Sequence, residues 1–290
     1  MFKNKTQSIL LITTAVVATL LSTSLQADDS KDTSASVSTE AKPATDMTDA
    51  DAIAKKLANP IASMTSLPLQ SNFDFGGGPD GDGFQYKANF QPVIPFSLSE
   101  DWNLITRTII PFVYQENVIG DTSQNGFSDT VFSAWLSPAE PTASGWTWGV
   151  GPAFLIPTGT NNFLTADQWA AGPTAIALRQ TKYFTYGALV NQLWAFSGEN
   201  NRESVNQMFV QPFLVYLPGG GWTISLNTEN TYNFTTNQFT IPINLAVNKM
   251  FKIGKVPAQW QLGARYYAEA PENGPKWGLR ASLTLIIPKS

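Results

Sequence analysis

From Leu67 almost to the end of the chain, apolar and polar residues alternate with a period of two, broken by loops rich in Gly, Pro, Asn and Asp. Such alternation predicts strands with one apolar and one polar face. In one segment Phe84, Tyr86, Ala88, Phe90, Pro92 and Ile94 share a face, and Gln85, Lys87, Asn89, Gln91 and Val93 share the other. In the last, Trp277, Leu279, Ala281, Leu283, Leu285 and Ile287 oppose Gly278, Arg280, Ser282 and Thr284. About twelve such segments are predicted, at 67–75, 84–96, 102–115, 127–136, 146–157, 168–180, 183–197, 205–217, 222–233, 238–251, 259–269 and 277–287. Each reaches the ~9–11 residues with which a tilted strand crosses a bilayer. An even count puts both ends of the wall on one side. The connections alternate in length, with 76–83, 116–126, 158–167 and 198–204 long and polar, 181–182 and 218–221 tight, and 137–145 longer than that pattern asks.

A soluble β-sandwich would also alternate, but its outward face should carry charge. Here the mid-strand charges Lys87, Arg107, Asp129, Glu229, Arg265 and Arg280 fall on the polar face, and the other face is almost purely apolar. Aromatics open the strands at both ends. Trp102, Trp146, Trp222 and Trp260 follow the expected periplasmic turns, while Phe84, Phe127, Trp169, Phe239 and Trp277 follow the expected outer loops. Two girdles of interface aromatics are expected of a membrane barrel. The fold expected is therefore all-β, a transmembrane antiparallel up-and-down barrel of about twelve strands over residues 67–290. Segments 168–180 and 183–197 fit least well, because Gln192 shares a face with Tyr186 and Trp194, and Arg179 shares one with Trp169.

Ahead of the barrel, Lys3 and Lys5 precede an apolar run from Ile9 to Leu21 and a small-residue site ending at Ala27. This predicts a signal peptide over 1–27. Its removal takes two lysines and turns a formal charge of −4 into −6. Residues 28–48 are rich in Ser, Thr, Asp and Ala and read as a disordered linker. Residues 49–66 predict a short helix capped by Thr48, with Ile53 and Leu57 at i, i+4 and a stop at Asn59-Pro60. That segment is either a periplasmic lead-in or a plug packed inside the barrel.

Composition narrows the chemistry. Of the 290 residues only 14% are charged, 12% are aromatic, and both Cys and His number 0. There is then no thiolate, no Ser-His-Asp triad and no histidine-held metal. No catalytic residue, metal or cofactor is expected. Mean hydropathy is −0.10 because two opposite faces are averaged.

If the apolar face meets lipid, the polar face lines the interior. It carries Asp74, Lys87, Arg107, Asp129, Glu229, Arg265, Glu269 and Arg280, the candidates for a lumenal selectivity site. Strand order sets Arg265 and Arg280 on adjacent walls near Asp74, and Arg107 between Lys87 and Asp129. Such charges either neutralise one another as a structural network or form a constriction. Twelve strands at ~4.8 Å spacing and ~40° tilt give a backbone radius of about 12 Å, leaving room for small solutes only. The glycine-rich loop 76–83 lacks the Gly-Lys-Ser/Thr of a phosphate loop, and Asp80 and Asp82 do not complete a calcium loop because position 91 is Gln.

The segments Trp169-Ala-Ala-Gly172-Pro173-Thr174, Tyr186-Gly-Ala-Leu-Val-Asn191-Gln, Val205-Asn206-Gln207…Gln211-Pro212-Phe213 and Trp277-Gly278-Leu279-Arg280, with the ending Leu285-Ile-Ile-Pro288-Lys289, resemble a family of proteobacterial outer-membrane proteins. That family is labelled "meta-pathway of phenol degradation"-like, or simply "transporter". The resemblance spans roughly Leu57 to Lys289. It implies an outer-membrane channel or facilitator for small organic molecules, hydrophobic or aromatic ones among them. A plugged structural or adhesive barrel without transport is the alternative reading. The partners expected are outer-membrane lipid, the barrel assembly machinery and a small-molecule solute, with no nucleic acid. The chain ends Ile-Ile-Pro-Lys-Ser instead of in an aromatic, which puts any assembly signal in the Leu283, Leu285, Ile287 stripe.

Overall fold

The computed structural model describes residues 45–199 and 201–287. The expected signal peptide over 1–27, and the linker up to residue 44, lie outside the described residues. Helix α1 spans Thr45–Leu57, so Thr48 lies within the helix and not at its start.

Fifteen strand segments follow: β1 Thr65–Gly77, β2 Gly83–Phe90, β3 Val93–Ser97, β4 Trp102–Glu116, β5 Ser123–Phe127, β6 Thr130–Pro138, β7 Trp146–Ile156, β8 Gln168–Gln180, β9 Phe184–Gly198, β10 Asn206–Gly219, β11 Trp222–Thr228, β12 Asn230–Asn233, β13 Gln238–Ile253, β14 Val256–Glu269 and β15 Trp277–Ile287. All pairings are antiparallel, and β15 pairs with β1 from Thr65↔Ile287 to Phe75↔Trp277, closing the sheet. β2 with β3, β5 with β6, and β11 with β12 are halves of interrupted wall strands, so the barrel has twelve strands. Strands were legible from alternation, with ends that differ by up to four residues. Residues 123–126, read as loop, pair with β4, and the alternation there skips a beat before β6.

Each interruption faces a proline. Pro68, Pro111 and Pro242 sit inside β1, β4 and β13. A proline keeps its carbonyl but has no N–H to give the ladder. Accordingly Gln91 N–H donates to Pro68 O at 2.9 Å, Ser128 N–H to Pro111 O at 2.9 Å, and Glu229 N–H to Pro242 O at 3.3 Å, and the neighbouring strand breaks at that point. Two of these breaks hold interior carboxylates, Asp129 beside Ser128 and Glu229 itself.

The outer surface is a continuous belt of large apolar side chains, including Leu69, Ile110, Val190, Leu214, Leu245, Leu262 and Leu279. One polar pair on this face, Gln192 Nε2 donating to Asn206 Oδ1 at 2.9 Å, is internally satisfied. That removes the difficulty Gln192 posed to a lipid-facing β9. Arg179, one residue from the end of β8, is exposed on the outside. Among the described residues no helix is long and apolar enough to cross a membrane.

Candidate functional site: the barrel lumen

The lumen has two chemically different sides, and the first is charged. Asn72 on β1 pairs in register with Lys87 on β2 and with Arg280 on β15. Asp74, two residues on, pairs with Gly278, which in turn faces Arg265 on β14. A Cβ at Gly278 would run into Asp74 Oδ1. The missing side chain is what lets a carboxylate on β1 approach a guanidinium two strands away. Arg265 Nε lies 3.3 Å from Asp74 Oδ1, and Arg265 Nη2 donates to Tyr267 Oη at 2.9 Å.

Arg280 does not join Asp74. It reaches across the lumen to Glu229, at the β11/β12 break. Nη1 donates to Oε1 and Nη2 to Oε2, both at 2.9 Å, while Nε donates to Asn72 Oδ1 at 2.8 Å. This is a bidentate fork with Nε engaged as well, the strong form of a charge-assisted pair. Arg265 Nη2 lies 3.9 Å from the same Glu229 Oε2, so the two arginines and two carboxylates form one network.

Neutral side chains extend the polar side as ladders across neighbouring strands. Gln85 Nε2 donates to Gln115 Oε1 at 2.8 Å, Gln115 Nε2 to Gln124 Oε1 at 2.9 Å, and Asn244 Nδ2 to Asn227 Oδ1 at 2.8 Å. Amides on neighbouring strands satisfy one another in this way.

The second side is apolar, which the sequence reading did not foresee. Ile105 on β4, Trp135 on β6, Ile176 and Leu178 on β8 and Leu189 on β9 form a buried cluster inside the barrel, with Val93, Phe209 and Phe213 packed against it. β8 and β9, which correspond to 168–180 and 183–197, therefore carry apolar side chains on their inward as well as their outward face. Trp135 is fixed by its indole N–H donating to Thr174 Oγ1 at 3.2 Å. Ile61 completes the cluster from outside the wall. Asn59 Oδ1 accepts from Ile61 N–H at 2.9 Å, so the turn that ends α1 also aims Ile61 inward.

The other predicted lumenal residues have different fates. Arg107 does not meet Asp129. It lies over the Trp135 ring, with its guanidinium carbon 5.4 Å from the ring centroid, at the border of the two sides. Asp129 is committed to the outer loop 157–167, accepting from Thr165 Oγ1 at 2.6 Å, Ala166 N–H at 2.7 Å and Gly159 N–H at 3.1 Å. Arg202 straps the same loop by donating to Asn162 O and Thr165 O, each at 2.9 Å. Glu269 is exposed at the outer end of β14, away from the cluster. Among the described residues no three acidic, His or Cys side chains converge as a metal site.

Of the predicted interface aromatics, Trp102, Phe127, Trp146, Trp169, Trp222, Phe239 and Trp277 are exposed on the outer surface, and Phe84 and Trp260 are partly so. Many pair across strands. Trp222 meets Trp260 edge-on at 5.7 Å and Trp146 meets Tyr186 at 6.1 Å toward one end; Phe75 stacks on Trp277 at 4.6 Å and Phe112 meets Phe127 at 5.7 Å toward the other. At the end where the wall strands begin and finish, α1 packs Ala54 against Met250 and Ile286. It is pinned by Gly221 N–H donating to Asp51 Oδ1 at 2.6 Å and Gln180 Nε2 donating to Lys55 O at 2.7 Å.

No protein-family model matches the chain, and no curated protein matches it. Among solved structures, the COG4313 outer membrane channel from Pseudomonas putida F1 is similar with a TM-score of 0.61 at 16% identity, covering 78% of this chain and 96% of that one. The KdgM porin is similar with a TM-score of 0.43 at 11% identity, covering 78% and 99%. Outer membrane phospholipase A from Escherichia coli follows at 0.42 and 12%, covering 81% and 98%. The first of these likenesses establishes a fold in common. With its closed twelve-stranded wall and apolar outer belt, the chain is an outer-membrane β-barrel.

Proposed function

We propose that this barrel is an outer-membrane channel or facilitator for small organic molecules, hydrophobic or aromatic ones among them. The observation that carries the reading is that Lys87, Arg107 and Glu229, aimed into the closed lumen, are still part exposed, although Asp74, Arg265 and Arg280 beside them are buried. The Glu229 side chain retains 22% of its accessible surface although it faces inward and is held by two arginines. Open space beside fixed charges, opposite a wall of Ile, Leu, Phe and Trp, suits a path for solutes with both polar and apolar parts. Asp74, Lys87, Arg107, Glu229, Arg265 and Arg280 would set its selectivity, and Asp129 its outer mouth. The aromatic bands would sit at the two membrane interfaces. The resemblance to the phenol-degradation-type transporter family supports the same substrate range.

The docking of α1 favours a second reading of the 49–66 segment, as a plug in the periplasmic mouth. A plug that never leaves would make the barrel structural or adhesive only. Liposomes containing the purified full chain decide between them. Entry of small ions and benzyl alcohol above empty-liposome controls is expected; no entry of any solute overturns the channel reading.

A further inference from the structure

Two of the six mid-lumen charges are left over. Asp74 and Glu229 are taken by Arg265 and Arg280, while Lys87 and Arg107 have no ion-pair partner among the described residues. Four cations against two carboxylates leave an excess of two positive charges. Arg107 also donates no hydrogen bond to a described side chain or carbonyl, and its buried Nε has no partner. What positions it is a ring face, Trp135, itself locked by Thr174. A guanidinium held over a ring face by a cation–π contact keeps N–H groups free for a ligand.

The surroundings specify the rest of that ligand. In register, Arg107 lies directly opposite Val93 on β3, and Ile105 is two residues along on the same inward face. Phe209 and Phe213 pack on this cluster from β10 and are only partly buried. A cation with no ion-pair partner beside a low-dielectric apolar wall attracts anions, although the Glu229 carboxylate acts on it from a distance. That wall also offers burial to a hydrocarbon body.

We infer that the lumen binds and passes small organic anions with an apolar body, aryl carboxylates being the simplest case. The carboxylate would take the two outer N–H directions of Arg107, as a planar fork meets two oxygens. The ring would lie against Val93, Phe209 and Phe213. Lys87 adds to the positive potential from β2 without needing to touch the ligand. The inference rests on the channel reading and adds to it the sign of the solute.

The test uses the full-length protein in liposomes, with benzoate, benzylammonium and benzyl alcohol as matched probes. Benzoate is expected to enter at least ~10-fold faster than benzylammonium, the scale of one charge-assisted hydrogen bond. In Arg107→Met the ratio should fall to within about threefold while heat-modifiable migration shows a folded barrel. Should that variant fail to fold, Lys87→Gln serves as the second variant and should lower the ratio about threefold. Passage of all three probes at similar rates overturns the inference and leaves the channel reading standing. So does a ratio unchanged in a folded Arg107→Met or, where that variant does not fold, in Lys87→Gln. Entry of none of them overturns the channel reading and the inference with it.

Discussion

Replacing Glu229 with Gln keeps the shape of the side chain and removes the charge that two arginines share. In the native barrel both Glu229 oxygens accept from Arg280 at 2.9 Å, and Arg265 stands 3.9 Å away. The substituted amide could accept through its single oxygen only, and its NH2 group would point hydrogens at Arg280 Nη2. Arg280, whose side chain is 4% exposed, would then hold an uncompensated buried charge. Breaking a buried pair from one side costs about 3–5 kcal/mol. The lower end, ~3 kcal/mol, applies here, because Arg280 keeps its bond to Asn72 and space beside Glu229 admits water. The assay is urea unfolding in lipid, followed by heat-modifiable migration and tryptophan fluorescence. The double variant Glu229→Gln/Arg280→Met removes both charges and should return to within about 1 kcal/mol of the native barrel, since the loss comes from an orphaned charge. A Glu229→Gln barrel within about 0.5 kcal/mol of native, or a double variant no better than the single, would refute the network. Glu269→Gln, on the exposed rim, is the control and should change stability by no more than about 0.5 kcal/mol.

Three further outcomes follow from the geometry. Gly278→Ala should cost about 3 kcal/mol, the upper end for overpacking, because it also drives Asp74 away from Arg265; at Gly120, where a Cβ meets nothing, the same exchange leaves only the strain of a left-handed backbone, about 1 kcal/mol, and equal urea midpoints for the two variants would refute the crowding at Gly278. Asp129→Asn should loosen loop 157–167, lowering hydrogen-exchange protection at Gly159 and Ala166 by about tenfold or more, since each amide loses a charged acceptor; unchanged protection would mean that Arg202 alone holds the loop. Ala54→Glu puts a carboxylate against Met250 and Ile286, where Ala54 is 2% exposed, and should raise single-channel conductance if α1 blocks the periplasmic mouth; equal conductance would leave α1 as a lead-in only.

The wall itself was legible because a membrane barrel imposes one rule on every strand. Outward residues must be apolar, and hydrogen bonds must close on neighbouring strands, so alternation and strand number followed from residue order. The lumen obeys no such periodic rule. Arg280 and Glu229 are 51 positions apart and meet because β15 and the β11/β12 break face the same lumen. Proline position did not mark the breaks: those at 68, 111 and 242 face one, while β7, β8 and β10 run on through Pro152, Pro173 and Pro212. Arg107 and Asp129 share the polar face as expected, but an incoming loop claims the carboxylate and a tryptophan ring claims the guanidinium.

By itself, the sequence determined a two-faced strand repeated about twelve times, a low-charge chain without His or Cys, and a polar face that gathers most mid-strand charges. Only the tertiary structure decided which of those charges cancel, that Lys87 and Arg107 are left over, and that half the lumen is apolar. The physical reason is range. Alternation is fixed between adjacent residues, whereas an ion pair in a closed barrel is fixed by side chains that converge from distant strands across a space no local pattern describes.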